Sequence, residues 1–120
     1  MTNMRNKREI GDTGEVIAAK YLESHGYVII ERNYHSRYGE IDIIAAKGEY
    51  LIFVEVKYRK SNLYGEPSAA VDYRKQEKIK KTALQYICES EAADKDIRFD
   101  IIEVTGTGEL TINHIENAFC

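Results

Sequence analysis

Apolar and polar positions alternate most regularly between residues 39 and 57. Acidic Glu40 and Asp42 alternate with Ile41 and Ile43, and further on Glu55 and Lys57 alternate with Val54 and Val56. Period two marks a strand, and side chains two apart share a face. The pattern therefore predicts two strands, with Glu40 beside Asp42 on one and Glu55 beside Lys57 on the other. Lys47-Gly48-Glu49-Tyr50 supplies the turn, because Gly48 accepts the positive φ that a two-residue hairpin requires. With Gly48 and Glu49 at the tip, Lys47 faces Tyr50, Asp42 faces Glu55 and Glu40 faces Lys57. Opposed Cβ atoms lie ~5 Å apart, so the hairpin presses two carboxylates together beside a lysine.

The flanking pattern predicts helices and further strands. Asp12 or Thr13 can cap a helix that runs to about His25, with Gly26 as its stop. Val16, Ile17, Ala19, Tyr21 and Leu22 give it an apolar face, and the first ten residues are expected to be mobile. Residues 27–31 read as a strand, followed by a polar connector through Tyr38. Residues 58–67 read as a loop, broken by Ser61-Asn62 and Gly65. Ser68 or Asp72 can cap a second helix to about Cys88, with Ile79, Ala83, Tyr86 and Ile87 as its core stripe. Residues 97–104 and 110–115 read as strands around a Gly106 and Gly108 turn. The order α-β-β-β-α-β-β implies an α/β fold in one domain over residues 1–120, a mixed sheet flanked by helices.

Composition narrows the class. The chain has 120 residues, 43% hydrophobic and 31% charged, which suits a globular domain. No apolar run reaches the ~18 residues of a membrane helix, and residues 1–8 lack the apolar stretch of a signal peptide. Cys88 and Cys120 offer neither metal spacing nor a disulfide framework. A cytoplasmic protein with reduced thiols and no membrane partner is expected.

The net charge of −3 opposes a polyanionic partner, but its distribution does not. Residues 1–81 hold 15 Lys+Arg against 12 Asp+Glu, a balance of +3, and residues 82–120 hold 2 against 8, a balance of −6. Cations gather at Lys57, Arg59 and Lys60, and at Arg74, Lys75, Lys78, Lys80 and Lys81. A local basic patch can guide a phosphate backbone on an acidic molecule. Arg59, Lys60, Asn62, Tyr58 and Tyr64 mix cations with aromatics, as backbone tracking and base stacking require. A solvated surface loop has the same composition. Tyr34 and Tyr38 are the other candidate stacking surfaces.

Asp42, Glu55 and Lys57 are the leading site candidates. Facing carboxylates raise each other's pKa, and Mg²⁺ or Mn²⁺ relieves the repulsion through hard oxygen ligands. The plainer reading is a cross-strand salt-bridge cluster. Glu15 opens the first helix, where a carboxylate also suits the helix dipole. Glu40 has the place of a supporting partner to Lys57. Lys75 and Gln76 are candidates for phosphate contact, or plain helix surface. No Ser-His-Asp arrangement, phosphate loop or dinucleotide glycine motif is present, and the three histidines lack metal spacing.

Asp42, twelve residues, then Glu55-Val56-Lys57 resembles the Asp…(Asp/Glu)-x-Lys motif of restriction-endonuclease-like nucleases. The wider pattern adds Gly14-Glu15, Asn33-Tyr34, Arg37-Tyr38-Gly39-Glu40-Ile41-Asp42 and Phe53-Val54-Glu55-Val56-Lys57. It continues with Ala70-Val71-Asp72, Lys75-Gln76, Arg98-Phe99-Asp100 and Ile115-Glu116-Asn117-Ala118-Phe119. Over nearly the whole chain this is similar to the YraN family of small bacterial proteins. His35 departs from that pattern, where Cys is frequent, and takes no assigned role.

The resemblance implies a restriction-endonuclease-like three-layer fold. It implies Mg²⁺ on Asp42, Glu55 and the Val56 carbonyl, with Glu15 completing the shell, and Lys57 positioning the attacking water. Arg59, Lys60, Lys75 and Gln76 would contact nucleic acid, DNA in preference to RNA. The short chain looks most like archaeal Holliday-junction resolvases, which act as dimers on branched DNA. The expected function is Mg²⁺-dependent phosphodiester hydrolysis in structured DNA. The alternatives are a non-catalytic nucleic-acid-binding module of the same fold and a protein-interaction adaptor.

Overall fold

A computed structural model describes residues 7–60, 71–92 and 94–120, with side chains described from residue 13 onward. The elements are α1 (Lys7–Ser24), β1 (Val28–Ser36), β2 (Gly39–Lys47), β3 (Tyr50–Arg59), α2 (Tyr73–Ser90), β4 (Asp96–Thr105) and β5 (Thr111–Phe119). They follow the expected order and form one five-stranded sheet, β1-β2-β3-β4-β5. The first three strands are an antiparallel meander, β4 joins β3 in parallel, and β5 returns antiparallel. A parallel neighbour needs a crossover, and α2 supplies it.

Each helix covers one face. Ala18, Ala19 and Leu22 of α1 pack on Ile43, Ala45, Ile52, Val54, Ile102 and Val104. On the other face, Ile79 and Ala83 of α2, with Val71 before it, pack on Ile41, Ile44, Leu51, Phe53 and Ile101. The central strands are apolar on both sides for this reason, and their sequences read as near-continuous hydrophobic runs. Tyr86 and Ile87 extend the α2 stripe as expected, whereas Val16 of the α1 pattern is exposed.

Several boundaries differ from the sequence reading. Helix α1 begins at Lys7, so Asp12 and Thr13 lie inside it and Glu15 sits mid-helix, away from the first turn. Its far end is as expected: Tyr27 N–H donates to the Leu22 carbonyl at 3.0 Å and Gly26 has φ +88. Strand β1 runs on to Ser36 because the polar residues after Glu31 pair with β2, Arg32 opposite Ile43 and Tyr34 opposite Ile41. An edge strand tolerates polar side chains that periodicity reads as a connector. Tyr58 and Arg59, read as loop, extend β3 in register with Val104 and Thr105. Asp72 is the cap of α2, its Oδ1 accepting from Lys75 N–H at 2.8 Å. Ser68, Asn62, Tyr64 and the rest of 61–70 lie outside the described residues, as do residues 1–6 of the segment expected to be mobile.

Candidate metal and phosphate site

The hairpin has the register that its two-residue turn dictates. Lys47 opposes Tyr50, Ala45 opposes Ile52 and Ile43 opposes Val54, with Gly48 at φ +59. Beyond Ile43 and Val54 the strands part company: β2 continues along β1, and β3 continues along β4. Hydrogen-bonded pairs alternate in an antiparallel ladder, so Val56 would be the next residue to bond across, to Ile41. Asp42 intervenes. Its Oδ2 accepts the Val56 N–H at 2.7 Å, and the carboxylate closes a ladder position that the backbone has abandoned.

The departure has a visible cause in packing. Ile41 joins the core under α2 together with Ile44, whereas Ile43 joins the core under α1. Strict alternation would put Ile41 and Ile43 on one face, so β2 turns over at Asp42. This also separates Glu40 from Asp42, against the sequence expectation. Glu40 is exposed and pairs with His35 at 3.2 Å.

Asp42 and Glu55 lie just beyond the last ladder pair, and their side chains share a hydrogen bond; both are buried. Burial first, then a hydrogen bond with Glu55 and its charge, push Asp42 up to about 8; the Val56 N–H opposes this and the Glu15 charge adds to it. Two carboxyl groups can share a hydrogen bond only through a proton, so the raised Asp42 carboxyl and Glu55 hold one proton between them and the pair keeps a single negative charge. That charge has a partner which periodicity did not reveal. Lys75, on the first turn of α2, places Nζ 2.8 Å from Glu55 Oε2. Burial lowers the Lys75 ammonium, but the bond to Glu55 and the charges of Glu55, Asp42 and Glu40 leave it raised overall.

The other sequence candidates are less concentrated. Lys57 lies two places beyond Glu55 on the same strand face, half-buried, in register with Glu103 of β4. Glu15 pairs with Arg32 of β1 at 3.6 Å, and its charge reaches Asp42 from the α1 side. Gln76 donates to the Val71 carbonyl at 2.7 Å and so helps fix the entry to α2. Arg59 pairs with buried Glu103 at 3.7 Å, while Lys60 stands exposed after β3.

Among the described residues no group of three or more Asp, Glu, His or Cys is gathered tightly enough to hold a metal. The notch offers two carboxylates, and the Val56 carbonyl shares its strand edge with the N–H that Asp42 holds. Mg²⁺ commonly uses one or two carboxylates and keeps several waters for substrate phosphate. The donor set fits such an ion, with Glu15 outside the immediate set.

A second polar cluster was not resolved from sequence. Asp100 is fully buried and accepts from Arg98 Nε and Nη2 at 2.9 Å each and from Asn117 N–H at 2.9 Å, with His114 Nε2 at 2.7 Å. Arg98 also donates to Tyr27 Oη at 2.6 Å, and His114 Nδ1 lies 3.1 Å from Tyr21 Oη. Burial alone would raise Asp100, but His114, Arg98 and the Asn117 N–H lower it below the ordinary carboxylate range. His114 and Asn117 tie Asp100 to β5, Tyr21 ties His114 to α1, and Arg98 reaches Tyr27 just before β1, so the cluster is a structural clamp. An Asp inside the apolar run of β4 was its sole sequence signal.

Comparison with known proteins follows the same residues. The model of the family described as "Uncharacterised protein family UPF0102" matches residues 14–104, a span containing Glu15, Asp42, Glu55, Lys57 and Asp100. A UPF0102 protein of Caldanaerobacter subterraneus subsp. tengcongensis is 50% identical over 118 residues, covering 95% of this chain and 97% of that protein. One from Alkaliphilus metalliredigens is 46% identical over 112 residues, 93% of this chain and 98% of its own. One from Geobacter metallireducens is 45% identical over 115 residues, 95% and 94%. The chain belongs to the UPF0102 family, the YraN family whose motifs it resembles.

Proposed function

We propose that this protein is a metal-dependent nuclease with a restriction-endonuclease-like fold, hydrolysing phosphodiester bonds in branched or otherwise structured DNA. One observation carries the reading. The strand pair opens beyond Ile43 and Val54, and there Asp42 and Glu55 form a buried carboxyl pair, with Lys57 two residues on. Packing of Ile41 under α2 accounts for the parting of the strands, but it does not by itself call for two carboxyl groups at the break.

Mg²⁺ or Mn²⁺ held by Asp42 and Glu55 would supply Lewis-acid charge and lower the pKa of an attacking water. The chain's own groups do the rest. Asp42 is oriented by the Val56 N–H and would have to give up its proton to become a ligand. Lys57 orients the water and neutralises charge on the phosphoryl oxygens. Lys75, now paired with Glu55, would be free to meet a phosphate if an ion took its place, with Arg59 and Lys60 along the flanking backbone.

A second reading, a non-catalytic nucleic-acid-binding module, is favoured by the Lys75–Glu55 pair: with one proton held between Asp42 and Glu55, the notch is electrically balanced without metal. The test is cleavage of labelled duplex, single-stranded, flapped and four-way DNA, beside structured RNA, with Mg²⁺ or Mn²⁺. Wild-type cleavage that disappears in identically prepared Lys57→Ala is expected. Equal cutting by both proteins removes Lys57 from the chemistry. Tight binding without cutting, unaffected by Asp42→Asn and by EDTA, favours the binding module.

A further inference from the structure

Beside the notch, α2 and the β1–β2 turn form a surface groove of about 370 Å³, lined by Tyr38, Lys81, Leu84, Gln85 and Cys88. We infer that this groove receives an unpaired nucleobase of the DNA strand whose phosphate lies at the Asp42–Glu55 notch. The inference rests on the nuclease reading for the chemistry of the neighbouring site and deepens it by naming what the substrate must present: a strand with an unpaired base.

The groove is a built feature. Ser36 Oγ receives the Tyr38 N–H at 3.0 Å and donates to Thr82 Oγ1 at 3.1 Å, which pins the turn to α2. Gly39 sits so close to the helix that an added Cβ would meet Lys78 Cβ and Thr82 Oγ1, both at 3.7 Å. The Tyr38 ring is therefore held on the helix with 37% of its surface open, next to Leu84 with 61% open.

Its chemistry selects the occupant. Tyr38 and Leu84 offer an apolar, stackable surface, and Gln85, whose Nε2 donates to Glu89 Oε2 at 3.2 Å, keeps its amide oxygen for a base edge. Among the described residues the lining holds no carboxylate, and Glu89 beside it is bonded to Gln85. Around it stand cations: the Arg37 guanidinium lies 5.0 Å from the Tyr38 ring centroid and donates to Tyr38 Oη at 2.8 Å, and Lys81 Nζ lies 5.9 Å from the same centroid. An apolar peptide or a second copy would need to neutralise Arg37, Lys78 and Lys81, whereas a nucleotide brings its own phosphate.

Its position fits the same strand. Lys75, Lys78 and Lys81 recur every three residues along α2, from the notch at Glu55 to the groove. Six helical residues span ~9 Å, and four strand residues from Tyr38 to Asp42 span ~13 Å. That is a few nucleotides of one strand, with the lysines along its phosphates.

The experiment is fluorescence anisotropy in EDTA with a labelled single-stranded oligodeoxythymidine and a blunt duplex. Wild type, Tyr38→Ala, Tyr38→Phe and Asp42→Asn are compared, each first checked for unchanged cooperative unfolding. Tyr38→Ala is expected to weaken the single strand about tenfold, the weight of one base–aromatic stack, and to leave the duplex unchanged. Tyr38→Phe, which keeps the ring, is expected to retain affinity. Unchanged single-strand affinity in Tyr38→Ala, equal loss on both probes, or no wild-type binding overturns the groove. A Leu84→Glu protein that changes from dimer to monomer in sedimentation also overturns it, by making the groove a self-association face. The nuclease reading fails separately, if Asp42→Asn cleaves as wild type does.

Discussion

Replacing Asp42 by Asn should stabilise the metal-free protein, and only above a definable pH. Asn keeps the size of Asp, its Oδ1 can accept the Val56 N–H as Asp42 does now at 2.7 Å, and its amide can donate to Glu55 as the shared proton does. What it removes is ionisation. Asp42 titrates at about 8 in the fold against an ordinary 3.8. Between those values the unfolded chain has lost a proton that the native chain keeps, so native stability falls as pH rises through this window. The penalty is absent below about pH 3.8 and complete above about pH 8.

At ~1.36 kcal/mol per unit, a shift of roughly four units sets a ceiling of about 5–6 kcal/mol. The parted strands can admit water to the notch, which lowers the penalty, so a gain on the order of 2 kcal/mol at pH 8 is expected. The assay is urea unfolding of both proteins in EDTA at pH 4 and pH 8, followed by circular dichroism. Asp42→Asn should match wild type at pH 4 and exceed it at pH 8. Saturating Mg²⁺ at pH 8 should stabilise wild type and leave the variant nearly unmoved, narrowing or reversing the difference. A variant destabilised equally at both pH values would refute the argument, since Asp42 would then act through packing or its bond to Val56 alone.

Other consequences can be checked in the same unfolding assay. Lys75→Met leaves the Glu55 carboxylate buried without its ammonium and should cost about 1–2 kcal/mol in EDTA, below the ~3–5 of a fully buried pair because Lys75 is half exposed; Mg²⁺ should recover more of this loss than it adds to wild type. Asp100→Ala strands Arg98 and His114 beside an apolar strand and should cost about 3–5 kcal/mol. Because Asp100 is lowered in the fold, its share of wild-type stability is present above the ordinary carboxylate range and disappears as pH falls through its folded pKa, so the wild-type minus Asp100→Ala difference should shrink on strong acidification. Gly106→Ala, at φ +122 with the Glu109 carbonyl in the way of a Cβ, should cost more than about 1 kcal/mol by unfolding midpoint, whereas Gly108→Ala, whose Cβ would meet open space, should cost far less.

What could be read from the sequence is what local chemistry controls. A two-residue turn admits one register, so Gly48-Glu49 was enough to set the ladder from Lys47–Tyr50 to Ile43–Val54, whose last step brings Asp42 and Glu55 side by side although the strands have parted there. Asp72 and Gly26 marked helix ends because a side-chain acceptor and a positive φ are needed at those points whatever surrounds them. The misses share a different origin. Residues 32–36 are polar, and they become a strand because β2 offers them a partner. Glu40 parts from Asp42 because the facing helices demand Ile41 on one side and Ile43 on the other. Lys75 meets Glu55 across a crossover helix, and Asp100 meets His114 across a strand pair. Such contacts are set by the sheet order, which periodicity within one strand does not contain.

The Lys75 contact bears on how a buried carboxylate pair can persist through folding. In the metal-free notch one proton held between Asp42 and Glu55 and one ammonium at Glu55 balance two carboxylates. A divalent ion carries the same two charges, so its entry would exchange two single charges for one double charge with no change in the buried total. Repulsion between Asp42 and Glu55 is thus tolerable before any ion arrives, and the fold need not depend on metal for its stability. The exchange is also productive for the proposed chemistry. It would leave the Lys75 ammonium at the head of the Lys75, Lys78 and Lys81 row, on the side from which a phosphate would approach. On the proposed reading, the group that is the counter-ion of Glu55 in the metal-free protein would become a phosphate contact in the loaded one, which would give a reason for a lysine at that first turn of α2, where a helix N-terminus by itself favours an acid.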